Sequence, residues 1–461
     1  MLCPVALIAL LACGSATNSP AATPVAPTLL AAASVAPPPT ATLVPAVPSP
    51  TPAVPSPTPA VPSSTSAVPS PTPAIAAPIL PTRSPTLARA ALPSGPAPSP
   101  AIPPCPTDFT TQLFTVLPLE PEQFLAFRPL GFMAPPIHMF PAKHSAFSMT
   151  RPGERPVPVP LRAPAEMWIE EIWEASFSTG GANYQVFTYP CREVRVYWGH
   201  LSAIADRLRA AYQAGSPTCN SFSEGRATVT TCRRSGLGLP VAAGEVFGHG
   251  PDTAGIDLGV IDFRRPPARF VRPEHYDGFY PYYASPLEYF APDPRARLAA
   301  KTGNIFGQRT RTANPVGGKH DQDVAGTAAG NWFAPGVDYR RSTDMSGALG
   351  LASDFVDPAQ PIIAMGNRVP GAPSGLYAFA PRDEGTVNRP FSEVRADGRV
   401  YCYEQFAAGS TPGGMPLARL SGVLLMSLPD GATLRMENLA GPRCPPDHQR
   451  SLSPSATSFE R

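Results

Sequence analysis

The residues best able to do chemistry are a few histidines and the acids that accompany them. His138 and His144 stand six apart, so on an extended segment they share a face. His200 closes the run Val194-Arg195-Val196-Tyr197-Trp198-Gly199. Asp257 and Asp262 lie five apart on the apolar run 255–262, GIDLGVID, so a strand there turns them to opposite faces, and one of them reaches a cleft. Imidazole and carboxylate are N and O donors of the kind zinc takes, three from the protein with one position open to water. His138, His144, His200 and Asp257 or Asp262 together hold enough donors for such a site. A second group, His320, Asp321 and Asp323, reads as a solvated loop. No G-x-S-x-G, Walker, dinucleotide-binding or H-E-x-x-H motif occurs, and no C-x-x-C pair suggests a zinc knuckle.

These side chains need strands to hold them. Residues 157–177 read as two strands around a turn at Ala163-Pro164-Ala165-Glu166. Tyr184–Tyr189 and Val194–Trp198 alternate with period two and read as a hairpin. Ile204–Ala214 reads as a short helix, and Phe109–Leu119 as an opening strand. The run Val241, Gly244, Gly248 is followed by a Gly/Pro/Asp loop and the strand that carries Asp257 and Asp262.

The order of RAPAEMWIEEI, VYWGHLS, VAAGEVFG and IDLGVID resembles the lysostaphin-like zinc peptidoglycan endopeptidases. That family has a strand–turn–strand block, an aromatic strand ending in H-L-S, a V-x-x-G-x-x-I-G run and an H-L-H strand in the same sequence. The resemblance covers about a third of the chain and implies an antiparallel β domain of the duplicated-hybrid-motif kind. It also implies a ligand set. His138 stands for the first zinc ligand, and His200 for the histidine that polarises the attacking water. The family's aspartate falls within 141–144, where Lys143 stands, and an ammonium donates rather than ligates. The third ligand position falls on Gly259. Two of three metal ligands are therefore missing. The expectation is a catalytically degenerate domain with no resident cofactor. Zinc belongs to the alternative, an active endopeptidase with rearranged ligands drawn from His138, His144, His200 and Asp257.

Beyond residue 268 the chain reads as a second β-rich region, a barrel or sandwich. A helix is expected at 292–302. Short apolar runs follow at 349–355, 361–365, 375–379, 399–403, 423–428 and 433–436, separated by turn signals. Gly326–Phe333 is similar to the opening strand of small antiparallel barrels. Tyr276, Tyr280, Tyr282, Tyr283 and Trp332 have faces on which a sugar ring can stack, although such residues more often pack in a core. A binding module for a small ligand in this region is a further alternative.

The fold class expected is thus mainly β, with two β-rich regions behind a Pro-rich segment. Met1–Ala12 is an apolar run with the character of a signal sequence, and Leu10-Leu11-Ala12-Cys13 resembles a bacterial lipobox, which makes Cys13 the lipidation site. Residues 14–104 are almost wholly Pro, Ala, Ser, Thr and Val, with AVPSPTP repeated at 46–52, 53–59 and 67–73. They carry much of the chain's 65 prolines. Proline removes donors and fixes φ, so a disordered, semi-rigid polyproline stalk is expected, with roughly 3.1 Å per residue where it is extended. The expected divisions are 1–13, 14–104, 105–268, 269–448 and a disordered tail at 449–461.

Six cysteines remain after the signal, an even number that favours disulfides in an exported protein. Six cysteines allow about fifteen pairings, and the connectivity stays open; the candidates are Cys219 with Cys232, which flank a polar segment suited to a hairpin, Cys402 with Cys444, and Cys105 with Cys191. The net charge of +2 is near neutral and shows no basic stripe, which excludes a nucleic-acid partner as the working expectation. The expected partners are the bacterial membrane, through the lipid, and cell-wall glycan or peptidoglycan. The expected place is the cell surface, and the expected work is binding or scaffolding.

Overall fold

The computed structural model describes residues 99–107, 112–178, 181–224, 227–340 and 345–461. The expected signal sequence, Cys13, the AVPSPTP repeats and the start of the expected strand at Phe109–Leu119 lie outside the described residues. The protein is mainly β, built from antiparallel sheets.

The first part supplies β1 (Ala126–Arg128), β2 (Ser145–Ser148), β3 (Val159–Arg162), β4 (Met167–Phe177), β5 (Ala182–Cys191), β6 (Val194–Leu201), β7 (Ala203–Ile204), β8 (Thr218–Glu224), β9 (Ala227–Val241), β10 (Val246–Gly250), β11 (Gly255–Asp262) and β12 (Tyr283–Ala284). The large sheet runs β1-β2-β11-β6-β5-β4-β9-β8, and β12 adds to β11 beyond the end of β2. β3, β10 and β7 form a small sheet of their own. The two strands around the Ala163–Glu166 turn therefore belong to different sheets. Period two explains the large sheet's core. Ile256, Leu258 and Val260 of β11 and Val194, Val196 and Trp198 of β6 face inward and are fully buried. The intervening residues, Asp257, Gly259, Arg195 and Tyr197, fall on the other face.

The second part supplies β13 (Gly330–Trp332), β14 (Leu349–Ser353), β15 (Pro361–Met365), β16 (Gly375–Ala378), β17 (Tyr401–Tyr403), β18 (Val423–Ser427), β19 (Thr433–Leu439) and β20 (Thr457–Glu460). These make two four-stranded antiparallel sheets, β13 to β16 and β17 to β20, around one core that includes Trp332, Leu351, Tyr377, Tyr403, Met426 and Phe459. A bridge from Phe333 to Glu460 joins the two sheets at one edge. The helices are α1 (Asp206–Gln213) and α2 (Pro292–Ala299). No described helix is long and apolar enough to cross a membrane.

Three expectations are corrected. The tail at 449–461 is not disordered: residues 457–460 form β20, and Arg461 is 1% exposed. Its guanidinium lies 4.1 Å over the Trp332 ring and donates to the Thr327 carbonyl at 3.0 Å. The division at 268/269 is not a seam. One core cluster joins Phe114 and Trp198 to Leu287, Phe290 and Leu298, and another joins Met139 and Phe140 to Phe270 and Ile362. The described residues fall within one compact unit. The opening strand is reduced to a single parallel bridge from Phe114 to Phe290.

All three candidate disulfides are formed: Cys105–Cys191, Cys219–Cys232 and Cys402–Cys444. The first spans 86 residues of sequence and ties the segment after the Pro-rich region to the end of β5. Trp198 is the largest side chain in the first core. It packs edge-on against Phe247 at 5.4 Å and donates its indole N–H to Thr188 Oγ1 at 3.2 Å. Replacing Trp198 by Ala leaves a cavity and an unpaired hydroxyl, with an expected loss of about 3–5 kcal/mol. Urea denaturation of the two proteins measures it.

Candidate functional site

β11 and β6 build the site between them. Their register sets Asp257 opposite Gly199 and Gly259 opposite Tyr197. Asp257 is 7% exposed, and its carboxylate is the centre of a ring of polar groups. His144 Nδ1 lies 3.5 Å from Oδ1, Arg128 3.5 Å from the same oxygen, and His200 Nε2 3.5 Å from Oδ2. The Tyr197 hydroxyl also bonds to the carboxylate. Burial raises the pKa of Asp257, but His144, His200, Arg128 and His138 around it outweigh burial and hold it below the usual carboxylate range.

Local sequence explains the arrangement. Tyr197 reaches Asp257 because Gly199 has no side chain. A Cβ there would sit 2.8 Å from Tyr197 Cζ and 3.2 Å from Asp257 Cβ. His200 departs from strand geometry with φ of 63°, a left-handed conformation rare outside glycine. Its Nδ1 accepts from Asn183 Nδ2 at 3.1 Å and lies 3.7 Å from Asp252. Asn183 also donates to Asp252, and the Asp252 N–H donates to the His200 carbonyl at 3.1 Å. These contacts place the ring between two carboxylates. Burial raises the pKa of Asp252, partly offset by His200.

The structure thus brings His138, His144, His200 and Asp257 into one cluster. His138 is its outermost member, with its ring 5.5 Å from that of His144 and 5.7 Å from Phe132. Asp262 is excluded. It lies on the inward face, fully buried, and accepts from Arg264 and from the Tyr289 hydroxyl at 2.8 Å each. It is a satisfied structural acid. Lys143 turns away from the histidines. Its ammonium lies 4.6 Å over the Tyr280 ring and 4.8 Å over Tyr283, 3.3 Å from Asp277. The His320 group is not a solvated loop: His320 is 3% exposed, and Asp323 accepts from the Val271 and Asn331 backbone N–H groups. Tyr276 and Trp332 pack in cores, with Tyr276 stacked on Tyr280 at 4.3 Å.

Arg128, Asn183, Tyr197 and Asp252 were not found by sequence reasoning. Period two along β6 was the available signal for Tyr197. Nothing local marks Arg128, which reaches Asp257 from β1, or Asn183, which reaches His200 from the neighbouring strand β5.

The zinc ligand set of the resembling family is not kept. Gly259 offers no ligand, and its missing side chain leaves no space: a Cβ would meet Tyr283 Cε1 at 3.0 Å and both His144 Cβ and Tyr197 Cδ1 at 3.4 Å. The Arg128 guanidinium already faces the Asp257 carboxylate and opposes a second cation there. Among the described residues, no group of three or more His, Cys, Asp or Glu side chains is arranged to hold a metal ion. The arrangement suits hydrogen bonding. Arg128 Nε, Asn183 Oδ1 and Asp252 Oδ1 are buried without a hydrogen-bond partner, one donor and two acceptors around the same cluster. From Tyr197 the same sheet face continues through Phe187 at 5.5 Å to Trp173 a further 5.5 Å on.

No family model, curated protein or solved structure matches this chain.

Burial and the neighbouring His144 push the pKa of His138 down to about 3. The folded protein therefore keeps His138 neutral where an unfolded chain protonates it near pH 6.5. Protons bind the unfolded state in excess between those values, so this residue's share of stability is lost as pH falls from about 6.5 towards 3. His138→Gln is expected to flatten that part of the stability–pH curve, read from urea midpoints at a series of pH values.

Proposed function

We propose that the protein is an exported, lipid-anchored envelope protein that binds a cell-wall component, with a degenerate lysostaphin-like domain serving as the binding element. The observation that carries the reading is the pair Asp257 and Gly259 on β11. The strand that holds the third ligand in the resembling family here holds glycine in that place. The carboxylate two residues earlier is engaged by an arginine, two histidines and a tyrosine. Hydrolysis through zinc has no support from such a donor set.

What the cluster offers instead is recognition. Imidazoles, a guanidinium and an acid within reach of one another complement the N–H and C=O groups of a peptide stem. Beside it the row Tyr197, Phe187, Trp173 carries Arg195 at 4.1 Å over Phe187 and Arg233 at 5.3 Å over Trp173, guanidinium groups that can donate to sugar hydroxyls. His200, in left-handed backbone between Asp252 and Asp257, is the more open of the two histidines against the acid, its side chain 20% exposed against 10% for His144. The ligand class is therefore a glycan or peptidoglycan stem. In this reading the lipid at Cys13 and the Pro-rich segment hold the domain at a distance from the membrane.

The test uses the purified chain and insoluble peptidoglycan. The expected result is retention on the polymer, release of no soluble fragments and no stoichiometric zinc by elemental analysis. His200→Ala and Arg128→Ala are each expected to weaken retention about tenfold or more, equivalent to about 1.4 kcal/mol or more. Stoichiometric zinc that is lost in His138→Ala, together with fragment release, would establish the active endopeptidase instead.

A further inference from the structure

A second cluster of unpartnered polar atoms lies away from Asp257, in a cavity of about 310 Å³. Its lining includes Tyr282, Tyr283, Ser285, Glu288, Arg265 and His320. The volume is at the lower end of the roughly 300–1,000 Å³ usual for small-ligand sites. Ser285 and His320 are each 3% exposed. Ser285 Oγ and His320 Nε2 are both buried with no hydrogen-bond partner among the described residues. Buried polar groups are seldom left unpaired, so two on residues that line one cavity point to an occupant.

The chemistry of the wall narrows the occupant. The His320 ring is bonded to the Tyr280 backbone and packs on Phe270 at 5.4 Å and Tyr280 at 5.8 Å. Burial pushes its pKa down to about 4, so the ring is neutral near pH 7. With the other ring nitrogen donating to that carbonyl, Nε2 is an acceptor in search of an O–H or N–H. The Ser285 hydroxyl both donates and accepts. It lies against Gly317, where an added Cβ would meet the Ser285 hydroxyl first and Ser285 Cβ at 2.7 Å. The wall carries two cations and two anions: Arg265 pairs with Glu288 at 2.7 Å, and Lys319 and Asp321 add one charge of each sign. Tyr282 and Tyr283 add ring surface. By contrast, the cavity of about 270 Å³ lined by Gln322, Leu351, Pro361 and Phe391 has no buried side-chain polar atom lacking a partner.

We propose that this cavity binds a neutral, hydroxyl-bearing ring, a single monosaccharide unit, held by His320 and Ser285 and flanked by Tyr282 and Tyr283. It is a site separate from the Asp257 cluster, and Tyr283 stands between them, with one edge against Gly259 and its ring on the cavity wall. The proposal is independent of whether the Asp257 cluster binds cell wall.

The experiment titrates the full chain, carrying ¹³C-labelled histidine, with N-acetylglucosamine and separately with glucose. His320→Phe removes one resonance and so assigns it. At least one sugar is expected to shift the His320 signal saturably, with a dissociation constant on the order of 1 mM. Ser285→Ala, which leaves the packing of the β-carbon in place, is expected to weaken that binding about tenfold. The proposal is overturned if neither sugar moves the His320 signal, or if Ser285→Ala binds as tightly as the parent. Shifts confined to His138, His144 and His200 overturn it as well, because they put the sugar in the Asp257 cluster and support that reading alone.

Discussion

A carboxylate buried in the middle of a nine-stranded sheet needs compensation, and the first half of this protein is arranged to supply it to Asp257. An unpaired buried charge costs several kcal/mol. Arg128 comes from β1, His144 from the residue before β2, and Tyr197 and His200 from β6. No two neighbouring strands could do this alone. The pairing order β1-β2-β11-β6 puts all four around one side chain. The exceptions to ordinary strand geometry gather there too. Gly199 makes room for the tyrosine, and His200 takes a positive φ to turn its ring towards the acid.

The same strand shows how one periodicity separates structure from chemistry. Ile256, Leu258 and Val260 fill the core, while Asp257 and Gly259 face the cluster. Asp262 stands on the inward side, where Arg264 and Tyr289 satisfy it. Two acids five residues apart thus have opposite fates for a geometric reason. Gly259 is not a passive gap, because Tyr283 of β12 closes over it and also forms part of the wall of a separate cavity. The aromatic density of 275–283 then follows: Tyr276 and Tyr280 pack the junction, and Tyr280 and Tyr283 sit under Lys143. Lys143 reads in sequence as an ammonium beside the metal position. In the fold it belongs to a cation–π contact with these rings.

The two β regions are legible from the chain as separate runs of short strands but not as one body. The expected boundary at 268/269 does not separate them, because the cores interlock across it. Met139 and Phe140, far back in the sequence, pack with Ile362 and Leu376. The tail offers the same lesson. Residues 457–460 are too short a run, next to too polar a stretch, to read as a strand. They pair because β19 presents an edge for them and the Arg461 guanidinium finds the Trp332 face and three backbone carbonyls.

By itself the sequence determined whatever depends on local period and composition. That includes the antiparallel β character, the 184–198 hairpin, both short helices, an even cysteine count that favours disulfides and the alternation that sends Asp257 and Asp262 to opposite faces. It also named four of the residues in the cluster, because histidine and aspartate are conspicuous in apolar surroundings. What only the tertiary structure decided is which groups meet. Arg128 and Asn183 have no local mark. The burial of His320 follows from Phe270 and Tyr280 packing over it rather than from its polar neighbours in sequence. Contacts between residues many positions apart are fixed by strand order and register, and no short window of sequence carries those.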